Sequence, residues 1–118
     1  MTEVQIKKRP ITITSLSWLY IAVGALGTAG HYGNFWTHKP AVNEFIWITV
    51  LGVAAVVAGV FMLRGQSWAR WLALAWIAAH VAISAFHPLH ELIVHCALLV
   101  LFSYLLFWRE ARAYFSAA

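Results

Sequence analysis

The residues best able to do chemistry in this sequence are histidines and glutamates, concentrated in one stretch, residues 79–95. Four of the chain's six histidines and one of its four acidic residues fall there: His80, His87, His90, Glu91 and His95. Imidazole and carboxylate groups are ligands for transition metals such as zinc, copper, iron and nickel. Histidine also titrates near neutral pH, so the same groups can pass protons. The stretch therefore indicates a transition-metal site or a proton relay.

Spacing suggests which of these side chains act together. Glu91 and His95 are four residues apart and share one face of a helix. We predict a metal site formed by the five residues above and His31, with His80 and His95 as the ligands if the cofactor is haem. Trp76, one turn before His80, is expected to stack on its ring. No spacing matches an established motif such as His-Glu-x-x-His, so a purely structural role, with histidines bonded to neighbouring helices, stays open.

The composition indicates what must surround these residues. Apolar residues make up 63% of the 118-residue chain and charged residues 10%, against about 45–50% and about 25% in soluble domains. We therefore expect a lipid bilayer to cover the excess apolar surface. The net charge of +4 does not indicate nucleic acid, because the basic residues lie at the ends of apolar runs rather than in one patch. Cys96, the single cysteine, excludes an intrachain disulfide.

Four apolar runs are long enough to be transmembrane helices, since about 20 residues span the hydrocarbon core. The first is longer than the apolar region of a signal peptide, about 7–15 residues, and is predicted to be a retained helix. Small residues, Gly24, Gly27 and Gly30 in the first run and Gly52 and Gly59 in the second, favour close helix packing. The predicted spans are about 11–30, 45–63, 68–86 and 89–108, with a loop over 31–43 and a tight turn over 64–67. In that turn Gly65 is predicted to end the second helix and Ser67 to be the N-cap of the third.

The distribution of basic residues predicts the orientation. With four spans, one side of the membrane receives seven of the eight basic residues and the other receives only Lys39. Basic residues in short loops favour the cytoplasmic side. The predicted fold is therefore an all-α, four-helix transmembrane bundle, up-down-up-down, with both termini cytoplasmic. All six histidines then lie toward the outer side, and His80, His95 and Glu91 should face the interior within about 10 Å of one another, the distance at which helices pack.

Two short stretches resemble known membrane proteins. The turn Arg64-Gly65-Gln66-Ser67-Trp68-Ala69-Arg70 resembles one in small uncharacterised four-span bacterial inner-membrane proteins. The end of the first span, Gly27-Thr28-Ala29-Gly30-His31-Tyr32, remotely resembles the first helix of DoxX-like proteins. The resemblance implies a four-span fold in the bacterial inner (plasma) membrane, and it matches Glu44 to the acidic residue that DoxX-like chains tend to carry early in the second helix. It implies no particular activity.

Three functions stay open on this evidence. The leading one is a small polytopic inner-membrane protein without enzymatic activity, an accessory or oligomerising subunit whose partners are the bilayer, further copies of itself or a larger membrane complex. The second is a metal- or haem-binding membrane protein that uses the outer histidine cluster. The third is a small proton-coupled transporter or channel, although the inner halves of the spans offer few polar groups beyond Ser17, Tyr20 and Ser103.

Overall fold

The computed structural model describes residues 9–35 and 42–116. This part of the chain forms five helices and no strand, which confirms the predicted all-α class. Consecutive long helices are joined by short turns wherever the connection is described. The helices are α1 (Ile11–Phe35), α2 (Val42–Leu63), α3 (Ser67–Ser84), α4 (Leu89–Phe107) and α5 (Arg109–Ser116).

Three of these helices are long and apolar enough to cross a membrane, over Ile11–Gly33, Asn43–Leu63 and Leu89–Phe107. Length and composition thus make this a membrane protein, as predicted. The segment predicted as a further span over 68–86 is helical from Ser67 to Ser84. It is not among these three helices, and it is the one long helix with an arginine and a histidine in its interior.

Helix α1 extends five residues beyond its predicted end and reaches Phe35. His31 and Tyr32 therefore lie in the helix, and the prediction of a loop from residue 31 was wrong there. Glycine weakens helices in water, but in an apolar environment the backbone groups must be bonded within the helix, which favours its continuation. The rest of the predicted loop, residues 36–41 with His38 and Lys39, lies outside the described residues.

The turn between α2 and α3 confirms the predicted helix terminator. Gly65 has a positive φ of 76°, and the N–H groups of Gly65 and Gln66 donate to the carbonyl oxygens of Met62 and Phe61. This is the glycine-ended bonding pattern of a helix C-terminus. Ser67, the predicted N-cap of α3, is instead its first helical residue, and the cap position is Gln66.

The predicted end of the fourth span is correct within one residue, but the chain does not stop being helical there. Trp108 takes an extended conformation with ψ of 171°, which separates α4 from α5. Helix α5 folds back on the bundle and buries Ala111, Tyr114 and Phe115. This helix was not predicted, because Arg109, Glu110 and Arg112 indicate a water-exposed end of the chain. Its pattern of buried and exposed residues covers only eight positions, which is too short to predict a packed helix.

Contacts between helix termini gather the arginines at one end of the molecule. The Nη1 atom of Arg9 donates to Leu63 O (2.9 Å), Nη1 of Arg70 donates to Leu106 O (3.3 Å), and the Tyr114 hydroxyl donates to Leu63 O (2.8 Å). We call this the arginine end. It carries Arg9, Arg64, Arg70, Arg109 and Arg112. The opposite end, the histidine end, carries His31, His80, His87, His90 and His95.

The buried core lies mainly toward the arginine end. Its members come from the first half of α1, the second half of α2, the part of α3 up to Ile77, the second half of α4, and α5; the largest fully buried apolar ones are Ile13, Tyr20, Met62, Ile77, Leu106 and Phe115. Toward the histidine end Ser84 is buried, whereas His80 and His95 are only partly buried. The bundle is thus tightly packed at the arginine end and looser at the histidine end.

Helices α1 and α2 contact each other through glycines, as predicted. A Cβ atom on Gly24 would lie 2.5 Å from Gly52 O, and one on Gly59 would lie 2.5 Å from Ser17 O. Two other glycines of the predicted stripe, Gly27 and Gly30, have nothing within 4 Å of that position. The small residues therefore serve close packing at one part of α1 and leave open space at another.

Candidate functional site

The structure brings His80 and His95 together, as the sequence predicted. His80 lies on α3 and His95 on α4, and their ring centroids are 6.0 Å apart with 25° between the ring planes. Both side chains are partly buried. Rings in face-to-face contact have centroids closer together than 6.0 Å, so the two imidazoles are neighbours that do not touch face to face. We call them the histidine pair.

Each ring of the pair is oriented by its own helix. His80 Nδ1 lies 2.9 Å from Trp76 O, and His95 Nδ1 lies 2.7 Å from Glu91 O. A carbonyl oxygen only accepts hydrogen bonds, so each contact is a hydrogen bond when Nδ1 carries the proton. A neutral ring in that tautomer has its lone pair on Nε2. Neither Nε2 atom has a hydrogen-bonding partner among the described residues.

Further contacts fix the two rings in place. The Trp76 ring lies 3.9 Å from the His80 ring, centroid to centroid, and its Nε1 donates to Leu51 O of α2 at 2.9 Å. The Ser84 hydroxyl, buried at the end of α3, lies 2.8 Å from His95 Nδ1. Trp76 therefore connects the pair to α2, and Ser84 connects α3 to α4. The stacking of Trp76 was expected, but Ser84 was missed, since a lone serine near a helix end gives no signal of a partner eleven residues away.

The other predicted ligands do not join the pair. The Glu91 carboxylate lies 3.8 Å from His87 Nδ1, and the two side chains are 43% and 53% exposed. His90 is exposed on the first turn of α4, and His31 is exposed on α1. Glu91 therefore meets His95 through its backbone carbonyl, although the two residues share a helix face as predicted. A contact this exposed to water contributes little to stability.

The predicted six-residue metal site is not assembled by the part of the chain that the structure describes. Over residues 9–35 and 42–116, no three side chains of histidine, cysteine, aspartate or glutamate lie close enough to share a metal ion. The prediction rested on helix faces and depth, whereas His90 and Glu91 on the first turn of α4, and His87 just before that helix, have side chains that are partly or fully exposed. Two imidazole nitrogens are too few for the four-coordinate sites that zinc adopts in proteins.

A cleft lies next to His80 of the pair. One side of it is α3, and the other is the packed pair of helices α1 and α2, which we call the α1–α2 arm. The volume of the cleft is about 320 Å³, and its walls include Thr28 and His31 of α1, Leu51 of α2, and Trp76 and His80 of α3. Most of the remaining lining is aliphatic or glycine. The cleft could not be predicted from the sequence, because hydrophobic runs predict helices but not the gaps between them.

Comparisons with known proteins add no assignment. The chain matches no protein-family model, and no curated protein or solved structure shows significant similarity to it. The resemblance to DoxX-like proteins stays a prediction.

Proposed function

We propose that the chain is a four-pass protein of the bacterial inner membrane, with both termini cytoplasmic, that works as a non-enzymatic accessory subunit of a membrane assembly. The observation that carries the topology is the separation of charge. Every arginine or lysine among the described residues lies at the arginine end, while Glu44, Glu91 and the histidines lie at the opposite end. Basic residues favour the cytoplasmic face.

The way the helices connect supports a fourth crossing. Helices α2 and α4 both run from the histidine end to the arginine end, so α3 has to carry the chain back between them. It has 18 residues, which at 1.5 Å per residue gives about 27 Å, close to the roughly 30 Å of the hydrocarbon core. If α2 and α4 cross the bilayer, α3 crosses it as well, despite Arg70 and His80.

A surface groove supports the role as a subunit. It has a volume of about 380 Å³, and its lining includes Gly24, Ala25, Thr28 and Ala29 of α1 together with valines of α2. Helices associate in lipid through close packing rather than through the hydrophobic effect, and small residues allow that approach. The groove therefore suits a helix of another membrane-embedded chain.

The test is the mass of the native assembly and its response to filling the groove. In a mild detergent, wild type should run as an assembly larger than its 13.2 kDa chain, and membrane cross-linking should give the same partners. Ala29→Leu should dissociate it, whereas Ala97→Leu, on an exposed position of α4, should not. A wild-type monomer without cross-linked partners would exclude the subunit role.

The histidine pair favours a second candidate, the binding of haem or a transition metal. A metal-binding histidine commonly donates its other ring nitrogen to a backbone carbonyl, which is how both Nδ1 atoms are placed here. Haem supplies four further ligands, so it requires only two nitrogens from the protein. A proton pathway is less favoured, because apolar side chains close the core at the arginine end.

That candidate is tested by loading the purified protein with haem or with copper and recording the absorption spectrum and the bound metal. His80→Ala and His95→Ala should each abolish binding, and His90→Ala, on the exposed first turn, should leave it intact. A protein that takes up none of these ligands would rule the candidate out.

A further inference from the structure

We propose that the cleft between the α1–α2 arm and α3 binds a small lipid-soluble molecule that carries a hydroxyl group, about the size of a substituted phenol. The proposal does not depend on the subunit role, and it uses the His80 Nε2 lone pair that a metal at the histidine pair would occupy, so the two ligands exclude each other. It rests on the shape of the cleft, on its lining, and on the hydrogen-bonding state of one imidazole in its wall.

The size and lining of the cleft define the body of the ligand. A volume of about 320 Å³ is at the lower end of ligand pockets, which run from about 300 to 1,000 Å³. The walls are largely apolar, with Val23, Ile48, Leu51 and Ile83 around the space and the flat Trp76 ring at one side. Such a space excludes a strongly hydrated ion and suits a compact apolar molecule.

The polar groups define the functional group. His80 forms part of the wall, and its Nδ1 lies 2.9 Å from Trp76 O, an acceptor that in a neutral ring requires the proton on Nδ1. Its Nε2 therefore offers an acceptor, which requires a donor on the ligand. The indole Nε1–H of Trp76 does not compete, because it donates to Leu51 O. A hydroxyl group supplies the donor and also stays soluble in the bilayer, unlike an ammonium group.

The open position at Gly27 allows a blocking variant that disturbs no existing contact. Gly27 lines the cleft, and a Cβ atom there would meet nothing within 4 Å. Gly30 is equally open and lies one helical turn further along α1 without lining the cleft. Gly27→Leu should therefore fill the cleft, while Gly30→Leu makes the same chemical change on the same helix and leaves the cleft empty.

The probes are 4-methylphenol and its non-hydroxylated counterpart 1,4-dimethylbenzene, measured by equilibrium dialysis of the detergent-solubilised protein against matched empty micelles. Wild type and Gly30→Leu should bind the phenol about two- to tenfold more tightly than the hydrocarbon, the range expected for one hydrogen bond. Gly27→Leu should bind neither probe beyond micelle partitioning. His80→Phe should lose most of the preference for the phenol, because of the polar wall residues only Thr28 and His31 then remain to bond it. Circular dichroism should show that each variant is folded.

Three results would overturn the proposal. If wild type binds neither probe beyond partitioning into micelles, the cleft is only a gap that lipid chains fill. Equal binding of the two probes by wild type would show an apolar void without selectivity for a hydroxyl group. Binding by Gly27→Leu as strong as that by Gly30→Leu would place the bound molecule elsewhere.

Discussion

Tyr20 shows how single polar side chains hold this bundle together. Its hydroxyl donates to Ala73 O at 2.8 Å, and only 2% of the residue is exposed. Its ring lies 5.1 Å from Trp76 and 5.8 Å from Phe102, so one residue of α1 contacts both α3 and α4. A buried hydroxyl in an apolar surrounding needs an acceptor, and here the acceptor belongs to another helix.

Removing this hydroxyl should destabilise the fold. We expect Tyr20→Phe to lower the free energy of unfolding by about 0.5–1.5 kcal/mol, the net contribution of a typical hydrogen bond. The measurement is a titration of the detergent-solubilised protein with dodecyl sulfate, followed by circular dichroism. Tyr104→Phe is the control, because Tyr104 is 63% exposed. Equal stability of the two variants would show that the Tyr20 bond contributes nothing.

At the scale of single residues, the sequence indicated which side chains could meet but not how they are directed. The spacing of Glu91 and His95 placed both on one face of α4, yet the imidazole turns back to the Glu91 carbonyl and the carboxylate turns toward His87. Helical periodicity determines the direction of each Cα–Cβ bond, whereas the rotamer beyond Cβ depends on the neighbouring groups that the side chain contacts. Proximity of His80 and His95 was therefore predictable, and the composition of a ligand set was not.

At the scale of helices, α1 and α2 pack closely because glycines lie where the two backbones meet. At Gly59 a Cβ atom would lie 2.5 Å from Ser17 O and 2.6 Å from Ile21 Cγ1. We expect Gly59→Ala to force the two helices apart and to cost about 1–3 kcal/mol of stability, as overpacking does. Gly30→Ala, which meets nothing within 4 Å, should be neutral or slightly stabilising. The same dodecyl sulfate titration measures both, and a loss of stability in Gly30→Ala alone would contradict the packing described.

Helix α5 is held on the bundle through Arg70. The guanidinium carbon lies 4.6 Å from the centroid of the Phe107 ring and 4.8 Å from that of Phe115, which are attractive cation–π distances. The side chain also donates to Leu106 O and to the Ser67 hydroxyl, at 3.3 and 2.6 Å. One arginine thus joins the start of α3, the end of α4 and the return helix.

A lysine at this position keeps the charge but loses the planar group with its several donors. We expect Arg70→Lys to loosen α5, so that its backbone amides exchange with deuterium about tenfold faster, as a loss near 1.4 kcal/mol would give. Arg64→Lys is the control, because Arg64 is exposed and lies over a single ring, that of Phe61, at 5.4 Å. Unchanged exchange in residues 109–116 of Arg70→Lys would show that Tyr114 and Phe115 hold α5 without the arginine.

For the whole molecule, composition and charge were the reliable signals. The long apolar runs predicted the long helices because a bilayer admits few other structures. The arginines lie at one end of the described structure, as their positions between the apolar runs indicated. The uneven packing was not predictable, since it depends on which residues of each helix face one another. Ala55, Ala58, Ala69 and Ala73 are fully buried toward the arginine end, while the histidine end stays open enough for a cleft.

The central claim is that the chain crosses the bilayer at α3, with the arginine end inside and the histidine end outside. Single cysteines at Gln66 and His90, both exposed positions, report the two ends once Cys96 has been replaced by serine. In intact cells a membrane-impermeant maleimide should label His90→Cys and should reach Gln66→Cys only after permeabilisation. Labelling of both cysteines from the same side would mean that α3 does not cross, and labelling of Gln66→Cys alone would mean that the orientation is reversed.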